Sequence, residues 1–298
     1  EAIKNVDVSG SVVYRYDNSD NSEKDDSRVD RNRYKVGLNL SSKVNDYVKF
    51  NSRFIVGDKD SGGFASLGSG RNHTTNAATS INTNRGSDEQ ADVTLSNAYF
   101  GFTAIPNTVV NIGKQGLTTP YTVAVDINGN EQAGTGILAL STFGPITAGA
   151  GYFNNQNLDV NANEVNISLE IAGGISSTGG TSLRIDGGSD LYVATVQGDL
   201  DFVKLEAWYL GMQDTFGSYT LAATSNIDLA ENAKLGLEAR YVNLSLTNDG
   251  RNGLANFFDP TGLFLTGADF EKKNEMFRFA VDGKFSIVNA RLAYTKTG

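Results

Sequence analysis

Residues 6–17 read VDVSGSVVYRYD, and apolar and polar side chains alternate along them with a period of two. Val8 and Tyr14 fall on one face, whereas Asp7 and Arg15 fall on the other. A β-strand sends successive side chains to opposite faces, so this stretch predicts a strand with one apolar and one wet face.

The same alternation recurs along most of the chain, and it predicts about thirteen β-strands. A helix would instead place its apolar residues three or four positions apart. Many of the predicted strands are close to the ~9–11 residues with which a tilted strand crosses a bilayer. They lie at 6–17, 33–41, 48–56, 93–102, 108–115, 136–142, 146–153, 189–198, 202–210, 217–227, 233–243, 275–285 and 288–295.

The connections between these strands alternate between short turns and mostly long, polar loops. The predicted long loops lie near 17–31, 58–91, 116–135, 154–188 and 245–274. Outer-membrane barrels have short periplasmic turns and longer extracellular loops, whereas a soluble sandwich has no reason to separate the two. The sequence therefore predicts an all-β protein, a transmembrane antiparallel up-and-down β-barrel of porin type, forming a single domain over residues 1–298.

The composition excludes several classes of protein. The chain has 298 residues, no cysteine, a formal net charge of −9 and a mean hydropathy of −0.28. Zero cysteine excludes disulfide scaffolds, cysteine zinc sites and thiol catalysis. The chain has no run of ~18 apolar residues that would form a transmembrane helix, and its acidic balance argues against binding to nucleic-acid phosphates. Low hydropathy is compatible with a membrane barrel, which needs apolar residues only at alternate positions.

The distribution of large side chains favours a sheet whose apolar face lies outward, toward lipid. Aromatic and large apolar residues recur on one face, in excess of what the interior of a soluble barrel could hold, and charges crowd the other. Tyrosines gather near strand ends, as in the girdles at membrane interfaces. They are Tyr14, Tyr16, Tyr34, Tyr99, Tyr209, Tyr241 and Tyr294. A secreted β-sandwich or β-solenoid is the alternative.

Basic residues cluster on the polar faces of the first strands. They are Arg15, Arg33, Lys35, Lys49, Arg53 and, on a later strand, Lys114. Like charges on neighbouring strands are destabilising unless something opposes them. The third long loop carries Asp126 and Glu131, so we predict that it folds inward and forms a charged pore constriction that sets ion selectivity. The alternative is that these basic residues are solvated surface.

Residues for catalysis and metal binding are scarce. His73 is the single histidine of the chain and lies in a Ser/Asn/Thr-rich segment, so we predict that the protein is not an enzyme. Residues 126–131 (DINGNE) resemble the start of an EF-hand loop, without its length, flanking helices or terminal Glu. Asp126 and Asp159 are candidate calcium ligands, with solvated loop acids as the alternative, and the predicted function requires no cofactor.

Several short stretches resemble one known family. Residues 2–10 (AIKNVDVSG), followed by YRYD at 14–17, are similar to the mature N-terminus of the major outer membrane porins of Campylobacter and its relatives. Further matches, in the same order as in the family, are GKQ at 113–115, GTG at 134–136 and LY at 191–192. The resemblance covers most of the chain, whereas the long loops diverge.

The resemblance implies a trimeric general porin of the Gram-negative outer membrane, with about 16–18 strands per subunit and loops exposed at the cell surface. It also implies a third loop folded into the pore, a preference for cations, and a calcium site at the constriction to which Asp126 and Asp159 correspond by position. The implied partners are two further copies of the chain, outer-membrane lipids and lipopolysaccharide, and small polar solutes and ions, without nucleic acid.

The predicted number of strands is odd, which conflicts with this barrel type. Porin barrels begin and end in the periplasm and therefore have an even number of strands. The alternation of turns and loops puts residues 295–298 on the extracellular side, after an upward strand. We therefore expect that Gly298 is not the natural C-terminus and that about five further strands complete the barrel.

Together these observations predict a water-filled channel for passive diffusion of ions and small hydrophilic solutes. The alternative from another class is a secreted or surface-layer β-rich structural protein or adhesin, since acidic, cysteine-free chains rich in Gly, Asn and Ser are common there. An adhesin does not require the alternation of short turns and long loops. An outer-membrane enzyme would require a Ser/His/Asp set, which the sequence does not supply.

Overall fold

The chain is almost entirely β-structure in the part that the structure describes. A computed structural model describes residues 6–21, 27–58, 62–72, 92–158, 187–259 and 261–298. These ranges contain fourteen β-strands, one α-helix and one 3-10 helix. The strands are β1 (Val6–Asn21), β2 (Ser27–Asn45), β3 (Val48–Gly57), β4 (Ala65–Asn72), β5 (Asp92–Phe102), β6 (Thr108–Gly116), β7 (Ala133–Phe143), β8 (Ile146–Gln156), β9 (Leu191–Leu200), β10 (Val203–Met212), β11 (Phe216–Ala230), β12 (Ala233–Leu246), β13 (Lys273–Phe285) and β14 (Val288–Thr297).

The strands belong to two compact units, and the first contains β1 to β5 together with the end of β6 and residues 123–133. Its hydrogen-bonded order is β1–β2–β3–β5, and β4 pairs with β2 outside this path. β1 pairs antiparallel with β2 over the full length of β1, from Val6 opposite Ser42 to Asn21 opposite Ser27. This ladder, together with β3 and β5, forms the wall on which the candidate site is built.

The second unit contains the start of β6 and the strands from β7 to β14. From β7 onward each strand pairs antiparallel with the next strand of the chain, in an up-and-down order. With β4 set aside, thirteen strands remain in the described ranges, which is the number that the alternation predicts. The prediction of an all-β antiparallel protein is therefore confirmed.

Tight turns join consecutive strands where the sequence predicts short connections. Asn107 (φ 56°), Asp201 (φ 48°) and Gly144 (φ 56°) all have left-handed backbone conformations in these turns. Gly adopts this conformation without a Cβ clash, and Asn and Asp tolerate it better than other residues. The chain can thus reverse direction in a few residues and begin the next strand at once.

The burial of the two strand faces is the reverse of that in a soluble sheet. Tyr219 and Leu221 of β11 are 58% and 54% exposed. On the opposite face, the polar residues Ser218 and Thr220 of β11 are only 0% and 1% exposed. The apolar face of the sheet is therefore its exposed face, as the sequence predicts.

Several predicted loops are shorter in the structure because the strands continue past the last apolar side chain. β1 extends to Asn21 and β2 starts at Ser27, so the predicted loop at 17–31 shrinks to 22–26, outside the described residues. Inside the predicted loop at 58–91, β4 pairs with β2. Backbone pairing needs only N–H and C=O groups, so apolar periodicity underestimates the length of polar strand ends.

The remaining long loops also differ in detail from their predicted extents. The third loop spans 117–132, and the next one begins after Gln156, with residues 159–186 outside the described ranges. The predicted loop at 245–274 contains an α-helix, α1 (Asn248–Phe258), followed by the 3-10 helix Gly267–Asp269. The Thr247 hydroxyl caps α1 by accepting a 3.0 Å hydrogen bond from the Gly250 N–H.

None of the helices within the described ranges is long and apolar enough to cross a membrane.

Candidate functional site

The third loop, residues 117–132, has a fixed fold of its own in the part that belongs to the first unit. The Leu117 N–H donates to the Gln132 carbonyl at 2.9 Å, and the Gln132 N–H donates to the Ala124 carbonyl at 2.9 Å. An antiparallel bridge joins Val125 and Glu131. These bonds make residues 123–132 a narrow hairpin whose tip is the DINGN segment at 126–130.

Asp126 holds this tip together from within. One carboxylate oxygen accepts hydrogen bonds from the backbone N–H groups of Asn128 at 2.9 Å and Asn130 at 2.8 Å, and the other accepts one from the Asn130 side chain at 3.1 Å. Gly129 has a φ of 88°, and a Cβ there would lie 2.8 Å from the Phe64 ring. The turn therefore depends on Asp126 as its acceptor and on glycine at 129.

Glu131 fastens the base of this tip to three strands of the wall, β2, β3 and β5. Its carboxylate accepts hydrogen bonds from Lys35 Nζ at 2.7 Å, from Arg53 Nε and a terminal Arg53 nitrogen at 3.2 Å each, and from Ser96 Oγ at 2.8 Å. Only 4% of the Glu131 side chain is exposed. A buried carboxylate is stable only when its oxygens accept hydrogen bonds from protein donors, and Lys35, Arg53 and Ser96 supply these bonds.

The wall residues are held in turn by further contacts. Lys35 Nζ also donates to the Gly129 carbonyl, and Arg53 donates to Asn39 Oδ1 at 2.8 Å. Burial raises the pKa of Glu131, but the hydrogen bonds from Arg53, Lys35 and Ser96 and the charge of Lys35 lower it more. The pKa of Glu131 therefore lies below its ordinary value, and the carboxylate is charged at neutral pH.

A second contact to the same tip is made by Phe64. The Arg15 guanidinium lies 4.3 Å from the centroid of the Phe64 ring, and the Arg33 guanidinium lies 6.0 Å from it. Arg33 Nε also donates to the Asp17 carboxylate at 2.9 Å. Because the tip glycine packs on the Phe64 ring, this aromatic side chain lies between two arginines of the wall and the loop.

Lys49 and Lys114 are not part of this cluster. Lys49 is exposed at the short-turn end of β3, opposite Lys43 and about 13 Å along the strand from Arg53. The ammonium of Lys114 donates to the Leu95 carbonyl at 2.8 Å. Of the six basic residues singled out in the sequence, two therefore contact Glu131 and two flank Phe64, whereas Lys49 and Lys114 lie elsewhere.

Another anchor of the third loop lies in the second unit. The Tyr121 hydroxyl is hydrogen-bonded to the Ser218 hydroxyl and, at 3.0 Å, to the Thr220 hydroxyl. Ser218 additionally donates to the Asn243 carbonyl at 3.0 Å. Neither Tyr121 nor its partners stand out in the sequence, because an isolated tyrosine in a loop gives no sign of the wall that it will contact.

A charged cluster in the second unit was not predicted either. Glu238 of β12 accepts from a terminal nitrogen of Arg291 at 2.8 Å, and its carboxylate lies 3.5 Å from Arg240 Nε and 3.8 Å from Arg278 Nε. Asp282 lies 3.6 Å from Arg291 Nε. The alternation places these residues on the polar face, but only the register of β12, β13 and β14 shows that they meet.

The predicted calcium site has one of its two ligands in the described part of the chain. The Asp126 carboxylate is occupied by hydrogen bonds inside its own turn, whereas Asp159 lies outside the described residues, as does His73. In the ranges that the structure describes, no group of three or more His, Asp or Glu residues is placed to hold a metal ion. Calcium binding stays a prediction.

Comparison with known families identifies a family whose model matches most of the chain. A family model described as Campylobacter major outer membrane protein matches residues 1–285. No protein with a curated description matches the chain in sequence.

Comparison with solved structures identifies the fold. OccK8 (OprE) of Pseudomonas aeruginosa has a TM-score of 0.65 and 17% identity, over 99% of this chain and 69% of that one. OccD3 (OpdP) of the same species has a TM-score of 0.61 and 15% identity, over 99% of this chain and 58% of that one. OccAB1 of Acinetobacter baumannii has a TM-score of 0.65 and 15% identity, over 97% of this chain and 65% of that one. These are outer-membrane porin barrels, so the fold is of porin type, and the chain spans 58 to 69% of their lengths.

Proposed function

Because the chain belongs to the Campylobacter major outer membrane protein family, we propose that it forms a water-filled channel for passive diffusion of ions and small hydrophilic solutes. The protein is located in the Gram-negative outer membrane, as its family and its structural neighbours are. The proposed orientation has the short turns in the periplasm and the long loops at the cell surface, as in other outer-membrane barrels.

The observation that carries this proposal is the attachment of the third loop through Glu131. A carboxylate that is 4% exposed and bonded to Lys35 and Arg53 holds a polar loop against the polar face of the sheet. If that polar face lines the lumen of a channel, the attached loop narrows the lumen at a fixed position. A charged, wet constriction of this kind discriminates among ions by the fields of its side chains.

The family and the fold indicate a channel rather than an enzyme, and the exposed faces argue against the adhesin alternative. A secreted sandwich would bury its apolar face, whereas on β11 Tyr219 and Leu221 are exposed and Ser218 and Thr220 are buried. The outward apolar face also supports the proposed partners, which are lipid, lipopolysaccharide and two further copies of the chain. A trimer would cover part of this surface.

We further propose that the channel prefers cations, because carboxylates offset part of the positive charge of its basic wall and a further carboxylate lies at the loop tip. Glu131 opposes Lys35 and Arg53, and Asp17 is paired with Arg33. Asp126 carries a further negative charge at the loop tip, and the chain as a whole has a net charge of −9. Glu131 and Asp17 offset part of the positive charge of the wall, and Asp126 at the loop tip supplies the field that attracts positive ions in the lumen.

Asp126→Asn tests this preference, because the asparagine side-chain oxygen can still accept the two backbone hydrogen bonds that hold the turn. One charge about 4 Å from a passing ion in water contributes about 1 kcal/mol to the interaction energy with that ion. We therefore expect the cation-to-anion permeability ratio to fall by about two- to fivefold when this charge is removed. Reversal potentials of purified protein in a planar bilayer with a potassium chloride gradient measure this ratio.

The matched control for this measurement is Asp201→Asn, in the short turn between β9 and β10, where asparagine tolerates the φ of 48°. This variant makes the same change of charge away from the loop tip and should leave the ratio as it is in the unmodified protein. An anion-preferring unmodified channel would overturn the proposed selectivity, and folded protein that carries no current would overturn the channel itself.

A further inference from the structure

A concave polar site lies on the wall of the first unit, on the short-turn side of the pair formed by Arg53 and Glu131. Its volume is ≈ 230 Å³, which is enough for one small solute. Its lining includes Ser9, Asn39, Asn51, Arg53, Asn97 and Tyr99. All of these residues lie on strands β1, β2, β3 and β5, so the site is built on regular backbone rather than on loops.

The register of the strands arranges the lining in two rows. Ser9 lies opposite Asn39, and Asn39 lies opposite Arg53. Two residues further toward the short turns, Asp7 lies opposite Ser41, which lies opposite Asn51. Side chains in one row are about 5 Å apart and the rows are about 7 Å apart, which gives a polar surface on the scale of one small ring-shaped molecule.

The side chains of the site already hold one another in place. Asn39 accepts a 2.8 Å hydrogen bond from Arg53, and Asn51 accepts a 2.9 Å hydrogen bond from Ser41. The side-chain oxygen of Asn97 is the exception, because it is buried and has no hydrogen-bond partner among the described residues. A buried acceptor without a donor is costly, so rotation of the Asn97 side chain toward the adjoining site, where an external donor reaches the oxygen, relieves this cost.

The charges around the site favour an uncharged ligand. The positive charge of Arg53 is opposed by Glu131 on one side, and Asp7 lies on the lining of the other. A simple cation would be repelled by Arg53, whereas a simple anion would be repelled by Asp7 and by the Asn97 oxygen. A molecule with several hydroxyl groups can donate to acceptors and accept from amides at the same time, and so matches this mixed lining.

We propose that this wall site binds a neutral polyhydroxylated solute of monosaccharide size, through the Asn97 oxygen and the amide side chains of the two rows. The proposal rests on the proposed channel function, because the site lies next to the constriction and is reached from the lumen. A solute held there would exchange its hydration shell for side-chain hydrogen bonds as it passes Glu131.

Saturation-transfer NMR with D-glucose and the folded full chain in detergent tests this proposal without any need for ion current. We expect saturation transfer from the protein to the ring protons of glucose. Asn97→Leu keeps the branched shape of the side chain but removes the acceptor, and should weaken binding by about tenfold, since one hydrogen bond is lost. Circular dichroism and the thermal unfolding midpoint establish that the variant is folded.

Asn289→Leu is the matched control, because it makes the same substitution on β14 in the second unit and should leave glucose binding unchanged. Absence of saturation transfer in unmodified protein that conducts ions would overturn the wall site and leave the channel intact. Equal binding by Asn97→Leu, or transfer to tetramethylammonium in place of glucose, would also overturn it. Folded protein without ion current would count against the channel alone.

Discussion

Glu131→Gln should replace the steady open-channel current of the protein with a current that fluctuates among several levels. The substitution removes the negative charge between Lys35 and Arg53, whose side chains are only 7% and 17% exposed. These two cations then face each other without a counter-charge. The tip of the third loop then keeps only its weaker contacts to the wall, those of Gly129 with Lys35 and Phe64, so the width of the constriction varies with time.

The expected size of this effect is large. Breaking a buried ion pair by removing one partner costs about 3–5 kcal/mol, which shifts the equilibrium between attached and detached loop roughly 100-fold or more. Single-channel recording in a planar bilayer measures the change directly. The double variant Lys35→Met with Glu131→Gln should recover part of the steady current, because it removes one of the two unpaired cations along with the carboxylate.

The control for this experiment is Glu231→Gln, which makes the same change in an exposed short turn between β11 and β12. It should give the current of the unmodified protein. A steady, unmodified current from folded Glu131→Gln would contradict the role of this carboxylate as the attachment of the loop.

Acid should have the same effect on the unmodified protein as the loss of the carboxylate. The pKa of Glu131 is lowered from its ordinary value of 4.5, because hydrogen bonds and the charge of Lys35 outweigh the effect of burial. A lowered pKa in the folded protein means that this attachment contributes its full stability above pH 4.5. The contribution is lost as the pH falls below that value and through the lowered pKa.

Recordings between pH 7 and about pH 3 should therefore show a steady current that becomes fluctuating only in the acid part of the range. Glu131→Gln serves as the reference, since it should fluctuate at both ends and show no acid transition of its own. An acid transition of the same size in Glu131→Gln would assign the effect to another carboxylate.

Much of the fold was predictable because apolar and polar residues alternate with a period of two. This alternation shows which side chains lie on the apolar face of a strand and which lie on its polar face. The alternation in β1 and β14 is clear, and it predicts both the strand type and the exposed apolar face. The ends of β1 and β2, and the whole of β4, could not be predicted in this way. Their side chains are mostly polar, and their pairing is made by backbone groups that every sequence possesses.

Part of the candidate site was also predictable, since opposite charges in a loop and on a wall have a reason to meet. Lys35, Arg53 and Glu131 do so. Ser96 and Phe64 were not predicted, because a serine or a phenylalanine at an ordinary position carries no sign of its partner. Lys49 resembles Arg53 in the sequence, yet the register of β2 and β3 puts it near a short turn.

A single cysteine at the tip of the third loop tests most directly whether this loop lies in the path of the ions. The chain has no cysteine, and Ile127 at the loop tip is 93% exposed, so Ile127→Cys provides one reactive thiol. A positively charged methanethiosulfonate reagent added during single-channel recording should lower the conductance in discrete steps, because each adduct places bulk and charge in the lumen. Complete labelling, verified by mass spectrometry, with conductance and reversal potential unchanged would contradict a third loop in the ion path.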